Sequence, residues 1–528
     1  MLGKIFDRIL KDEEEEFEIE SGGQKEERKA FSWKELVLVL IIFLLSLISR
    51  LYFLFTHDPQ NAGVGWYGDV YHHWQIAYLS KEVGFSHGFL RLWDLKGMEF
   101  FWGLTHPLVL IGLFSIFGSV DILVPRLLSI FCGSLVSVLI FLLVKRDFNQ
   151  ISAFACSLWA IFFPVILFSD TLGMQEQLGL FFLLGGVFFW PKFGWLTGIL
   201  WALASMTRAE YWLFAAALTF FTIFDPRRNI SGAKISLILA YIFPVIFYMK
   251  YLWQHTGNAI FPIWWNYLAS VVGKWFVNVS EPLNEVQILG QWFGRILFVF
   301  GLVGSIITII KRPRFYLFFL TGFFNVCFIG FIFGFAAYIH GFFERFWFDR
   351  LLAFPYLFLG ILLIIFLLFW LPKYLLKIYF PALVFGFLIF LFVLLASQLI
   401  WFKILFYFQA AQEPYQRELE IAKLIAENDL GGNILFPADR PALTYALVRN
   451  HNISGKRLIS EMYDPYYYRQ EGETLEETEE KVISWLRKEG VNLIVYTGKR
   501  EYETLFENHP EKFKLLVRDS DFILYEFF

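Results

Sequence analysis

The chain has 528 residues, of which 57% are hydrophobic, 21% aromatic and only 18% charged, against about 25% charge in an ordinary water-soluble domain. Its ends take most of the charge: residues 1–34 carry ten acids and seven bases, residues 412–528 carry 22 and 15, and only 16 acids and 23 bases are left for the 377 residues between. A middle so poor in charge is a membrane domain, which excludes a soluble enzyme, a disordered chain and a nucleic-acid binder with its basic face.

Residues 1–34 read as a cytoplasmic tail with a solvated acidic run, Glu13 to Glu16, and no cleavable signal peptide fits ahead of the first apolar stretch. A bilayer-crossing helix needs roughly 20 mostly apolar residues. About eleven segments are assigned as spans, at 35–56, 124–144, 151–169, 173–190, 194–207, 209–225, 233–253, 287–310, 315–337, 350–371 and 378–402. Basic loops stay cytoplasmic, and with the N-terminus inside, every second connection is basic: Lys145 with Arg146, Lys192, Arg227 with Arg228, Lys311 with Arg312 and Arg314, and Lys373 with Lys377. The alternation requires residues 107–118, an apolar run of a dozen, to be interfacial or re-entrant rather than spanning. Residues 57–123 are then one long outer loop, joined on that side by 169–173, 207–209, 254–286, 338–349 and everything from about 403. The expectation is a multi-pass protein of the cell membrane, with domains at 1–34, 35–402 and 403–528 and the last one extracytoplasmic.

The tail reads as a small α/β domain. Helices are expected at Pro414 to Asn428 and at Leu475 to Lys488, the second behind Thr474 with Glu477 as a capping box. Strands are expected at 433–436, 491–496, 513–517 and 522–528. It has no Gly-rich phosphate fingerprint and no CxxC motif, which points to binding or capping rather than separate catalysis. Cys132, Cys156 and Cys327 all fall in apolar segments, where a thiol acts as a small hydrophobe.

Three polar constellations stand at the expected outer rim. Arg50 lies late in the first span, where it can snorkel or serve a site. It is followed by Trp66-Tyr-Gly-Asp-Val-Tyr-His-His-Trp74, which sets Asp69, His72 and His73 just ahead of a helix expected from Trp74. A carboxylate there can be a general base, a metal ligand or a helix cap. The turn Phe168 to Glu176 brings Asp170 and Glu176 to the ends of two helices, as caps or as a second acid. Arg208 with Glu210, and His340, Glu344, Arg345, Asp349 and Arg350, put basic groups on the same side, as an ion-pair network or a grip on phosphate. The aromatic stretch Phe261 to Tyr267 and the tyrosines Tyr463, Tyr466, Tyr467 and Tyr468 suit a membrane interface, a sugar face or a lipid groove alike.

The order Arg50-Leu-Tyr, Asp69 ahead of Tyr71 and His72, His106-Pro107, Pro125-Arg126-Leu127-Leu128-Ser129, then Ser169-Asp170 with Glu176, resembles the GT-C glycosyltransferases, in particular the protein O-mannosyltransferase and aminoarabinose-transferase branch. The resemblance covers residues 35 to about 225. It implies a helical polytopic membrane domain with an extracytoplasmic α/β domain, acting as an inverting hexosyl or pentosyl transferase. The donor would be a polyprenyl-phosphate-linked sugar and the acceptor a protein, lipid or glycan. Asp69 matches the first-loop acid, as base or acceptor-orienting group, and Asp170 or Glu176 matches the second-loop acid. Arg50, His72, His73, Arg208, Arg345 and Arg350 would bind substrate, the arginines holding the lipid phosphate. A divalent cation, Mg2+ or Mn2+, could sit between Asp69 and Asp170 or Glu176. Two departures are visible: Gly68-Asp69 stands where the pattern has an Asp-Glu pair, and Trp264-Trp265-Asn266-Tyr267 only partly matches the oligosaccharyltransferase signature and lies in another region. Since Asp-Val-Tyr-His-His also resembles the oligosaccharyltransferase first loop, that enzyme class is one alternative. A transporter or lipid flippase is another, although the repeats and mid-membrane charges common in such folds are missing.

Overall fold

The computed structural model describes residues 33–57, 69–83, 100, 102–224, 232–268, 282–311, 352–375, 379–410, 414–437, 440–461, 464–466, 473–498, 500–520 and 522–528. The expected span 315–337, Cys327, the group from His340 to Arg350 including Arg345, and Trp66, Tyr463, Tyr467 and Tyr468 lie outside the described residues. The chain divides into two compact units, 1–42 and 43–528; the described part of the first is the opening of helix α1.

In chain order the helices are α1 (Trp33–His57), α2 (Asp69–Val83), α3 (Thr105–Phe117), α4 (Leu123–Asp147), α5 (Gln150–Phe162), α6 (Pro164–Thr171), α7 (Glu176–Phe189), α8 (Gly194–Ser205), α9 (Ala209–Ile223), α10 (Gly232–Thr256), α11 (Phe261–Tyr267), α12 (Glu285–Lys311), α13 (Ala353–Ile365, continued by π-helical Phe366–Leu375) and α14 (Tyr379–Ala410). Six of these, α1, α4, α10, α12, α13 with its continuation, and α14, are long and apolar enough to cross a membrane; α5 with α6 makes a seventh, bent by 57°. The protein is a multi-pass membrane protein.

Two expectations change. The stretch 151–169 is not one straight helix, because Pro164 opens α6 after an extended Phe163. Proline has no N–H to continue the ladder and disfavours a helical residue before it. The carbonyls freed at the break are taken up by side chains: Gln398 donates to Phe162, and Arg50 Nη2 donates to Ala160 at 3.1 Å. The expected spans 173–190, 194–207 and 209–225 are helices of 14, 12 and 15 residues, short of the roughly 20 that a crossing needs. Their polar ends, Glu176 and Arg208 with Glu210, stop them where the backbone turns. They are apolar helices of the same order of length as α3.

Helix α2 begins at Asp69, five residues before the expected Trp74, so Asp69 lies inside its first turn. From Val70 to Ser80 every side chain but His72 is buried. That burial, and a weakly apolar sequence, mark a helix enclosed by protein on more than one side.

The tail builds α15 (Pro414–Glu427), β1 (Asn433–Phe436), α16 (Pro441–His451), β2 (Leu458–Ser460), α17 (Leu475–Lys488), β3 (Val491–Tyr496), α18 (Arg500–Asn508), β4 (Phe513–Arg518) and β5 (Ile523–Phe527). The sheet runs β2-β1-β3-β5-β4, with β2, β1 and β3 parallel and β5 antiparallel to both β3 and β4. Leu435, Val482, Leu486, Ile494, Leu505 and Phe506 make its core. The capping box of α17 is formed at both ends, Thr474 accepting from the Glu477 N–H and Glu477 from that of Thr474. An ion pair of Arg457 with Asp429, 2.5 Å, ties the start of β2 to the turn after α15; that arginine holds the Asp429 carboxyl below the usual carboxylate range.

Candidate functional site

The break after α6 fixes Asp170. Arg50 reaches it from α1, with Nε at 2.6 Å from Oδ2 and Nη2 at 2.5 Å. Arg50 Nη1 also donates to the Ser46 hydroxyl at 2.5 Å and to the Ser46 carbonyl at 3.2 Å. Both charges are essentially excluded from solvent, so each depends on the other for compensation. Gly133 on α4 lets them meet, because a Cβ there would strike the Asp170 carboxylate and lie 3.1 Å from Arg50 Nε.

Between α6 and α7 the chain turns at Gly173, φ +83°, where a Cβ would sit 3.0 Å from Arg126 N and 3.1 Å from Val70 Cγ2. This turn therefore touches both the first residues of α2 and the start of α4. Asp69, half-buried, is the neighbour of Val70, and Arg126 is fully buried.

Glu176 opens α7 and accepts from Arg208 Nη1 at 2.6 Å. The same guanidinium pairs through Nε with Glu210 on α9, so one arginine is held between two carboxylates. Tyr211 donates its hydroxyl to the Glu176 carbonyl at 2.8 Å, and the Gln175 amide, with its nitrogen turned to the two acceptors it faces, donates to the carbonyls of Trp102, 2.6 Å, and Thr207, 3.1 Å. The segment before α3 lies on this turn: Thr105 N donates to the Met206 carbonyl at 3.0 Å, and Gly103, φ +81°, has no room for a Cβ beside that carbonyl.

The histidines complete the cluster. His73 packs on Trp102, ring centroids 4.6 Å apart, and edge-on to His106 at 5.1 Å; His72 lies 5.4 Å from Trp102. His106 is fully buried, and among the described residues neither ring nitrogen has a hydrogen-bond partner. Burial lowers its pKa to about 4, against a smaller upward pull from the charge of Glu176.

The structure thus brings Arg50, Asp170, Glu176 and Arg208 into two acid–arginine assemblies, packs His72 and His73 on Trp102 and His73 on His106, and sets Asp69 next to Val70, which faces the Gly173 turn. Glu210, named beside Arg208 in the sequence, proves part of the second assembly, whereas Trp102, Gln175 and Tyr211 carried no sequence signal. His106 and Arg126 stood only within family-like strings. Asp69, Asp170 and Glu176 are not gathered into a metal centre: among the described residues no three His, Cys, Asp or Glu side chains are grouped to hold an ion.

No family model matches the sequence, and no curated protein matches it. Among solved structures, ArnT from Cupriavidus metallidurans in the apo state is 12% identical, with 93% of this chain and 97% of that chain covered, at a TM-score of 0.50. The same protein bound to undecaprenyl phosphate is 14% identical over 93% and 97%, TM-score 0.47. The Archaeoglobus fulgidus oligosaccharyltransferase complex with Zn and sulfate is 12% identical over 92% of this chain and 72% of that one, TM-score 0.46. The match to apo ArnT runs through nearly the whole of both chains, and the chain has the GT-C fold.

Proposed function

We propose that the protein transfers a sugar from a polyprenyl-phosphate-linked donor to an acceptor on the extracytoplasmic face of the membrane. The reading is carried by the convergence of α2, the segment before α3, the α6–α7 turn and the α8–α9 turn on one cluster of acids, arginines and histidines within a GT-C fold. An acceptor hydroxyl or amide attacks the anomeric carbon as the bond from that carbon to the phosphate oxygen breaks. The acceptor proton needs a base and the departing phosphate needs positive charge.

Asp69 is the base in this scheme. It is the most exposed of the three candidate acids, half-buried where Asp170 and Glu176 are buried. Glu176 is the second-loop acid that works beside it, next to His106 and Arg208, while Asp170 is committed to Arg50 and positions the helices. Arg208 is balanced by two carboxylates and Arg50 by one; the grip on the lipid phosphate is assigned to Arg345 and Arg350 from the sequence alone, since they lie outside the described residues. Direct displacement gives inversion at the sugar. A divalent cation would need donors beyond Asp170 and Glu176, each of which already has an arginine on one oxygen.

The test is the purified protein in proteoliposomes with a labelled polyprenyl-phosphate sugar and an acceptor mixture. Label leaving the lipid together with release of polyprenyl phosphate is expected. Lipid crossing the bilayer with its sugar still attached would overturn the reading in favour of a flippase.

A further inference from the structure

The tail domain is seated on α2. At about 100° per residue, α2 has two opposed faces. Asp69, His72 and His73 share one, turned to Trp102 and His106. Tyr71, Trp74, Gln75 and Tyr78 share the other, and each of these four meets the tail. Gln75 Nε2 donates to Thr444 Oγ1 at 3.0 Å, and Gly455 N donates to the Tyr78 hydroxyl at 3.2 Å. The Tyr445 ring lies 5.5 Å from Tyr71 and stands edge-on to Trp74 at 4.9 Å.

The same tyrosine fixes what lies beside α2. Its hydroxyl accepts from Ile122 N at 3.3 Å, Trp74 Nε1 donates to the Val120 carbonyl at 2.6 Å, and Arg449 pairs with Asp121 at 3.0 Å. One turn of α16 therefore grips α2 and the α3–α4 connection together. Thr444 and Tyr445 are both buried, and a Cβ on Gly455 would lie 2.7 Å from the Tyr78 ring, so the fit leaves no slack.

We propose that Thr444 and Tyr445 are positioning residues: the tail domain clamps the rear face of α2 and so sets where Asp69, His72 and His73 stand against Glu176 and Arg208. The proposal rests on the reading of that cluster as a glycosyl-transfer site. It gives the tail a part in catalysis without any group of its own touching substrate. A rigid helix transmits a rotation at its rear face to its front, so loosening Tyr445 displaces Asp69 without unfolding the site.

The experiment uses the full chain in nanodiscs, with hydrogen–deuterium exchange of the 69–83 peptide and sugar-transfer kinetics on Tyr445→Ala, Tyr445→Phe and Gln75→Leu. Tyr445→Ala loses two ring contacts, and exchange across 69–83 is expected to rise about tenfold while peptides of β1 and β3 keep their protection. The kcat falls about tenfold with the donor KM little changed. Tyr445→Phe keeps the ring and restores most of both. Gln75→Leu loosens the contact from the membrane-domain side, so the question stays answerable if Tyr445→Ala unfolds the tail. Unchanged exchange in Gln75→Leu and in a folded Tyr445→Ala overturns the clamp, as does a fall in kcat that Tyr445→Phe does not rescue. If the wild-type protein transfers no sugar, the function proposed above fails, while the exchange measurements still decide whether the tail holds α2.

Discussion

Arg50 Nε and Asp170 Oδ2 meet at 2.6 Å across 120 positions of sequence, and neither side chain exposes more than 1% of its surface. The pair pins α1 to the broken end of α6. Removing one partner leaves a buried charge uncompensated, so Asp170→Asn should cost about 3–5 kcal/mol. Replacing both partners with apolar residues should recover much of that loss. Thermal unfolding in detergent measures both, and an Asp170→Asn melting curve that overlays the wild type would show the pair to be energetically idle.

Gly133 supplies the space for that pair. Gly133→Ala puts a methyl against the Asp170 carboxylate and 3.1 Å from Arg50 Nε, and overpacking of this kind costs about 1–3 kcal/mol. Gly112, where an added Cβ meets nothing within 4 Å among the described residues, is the control: Gly112→Ala should leave the melting temperature unchanged or slightly higher. Similar losses in the two variants would sink the steric argument.

Asp69 and Glu176 should separate by the kind of damage their loss causes. Asp69→Asn keeps the shape of the first turn of α2, so the protein should fold and bind donor while kcat falls by about 10²–10⁴. Undiminished transfer by this variant removes Asp69 from the role of base. Glu176→Gln removes the charge of one of the two carboxylates that face Arg208, so both stability and kcat should fall. Paired measurements of melting and turnover tell these two patterns apart.

The buried His106 predicts an acid-sensitive fold. Its pKa in the folded protein, about 4, lies below its ordinary value of 6.5. As pH falls, the unfolded chain therefore takes up a proton that the folded chain refuses. Stability should be full above pH 6.5 and decline towards pH 4, by up to about 1.4 kcal/mol per pH unit. His106→Gln should flatten that part of the curve, and equal slopes in the two proteins would contradict a neutral buried imidazole.

Part of this architecture is written in local pattern. The strands 433–436 and 491–496 and the capped helix at 475–488 lie where short apolar runs and capping residues put them, because both signals act over a few residues. Helix α16 escaped notice: Ala442, Leu443, Thr444, Tyr445, Ala446 and Leu447 are all buried, so it has no polar stripe to give the usual helical rhythm. It is buried between α15, its neighbour in the chain, and α2, more than 360 positions away in sequence. The bend at Pro164 was visible as a proline, but whether it would kink a span or end it depended on Gln398 and Arg50 reaching the freed carbonyls.

Composition and hydropathy are additive along the chain, so they already mark a membrane protein with charged ends and a short roster of acids, arginines and histidines. Packing sets which charges pair, Asp170 with Arg50 and Glu176 with Arg208, and turns one face of α2 to the histidine cluster and the other to the tail. Ion pairs and helix faces are chosen by what packs opposite them, and in this fold those partners are brought together from positions far apart in the chain.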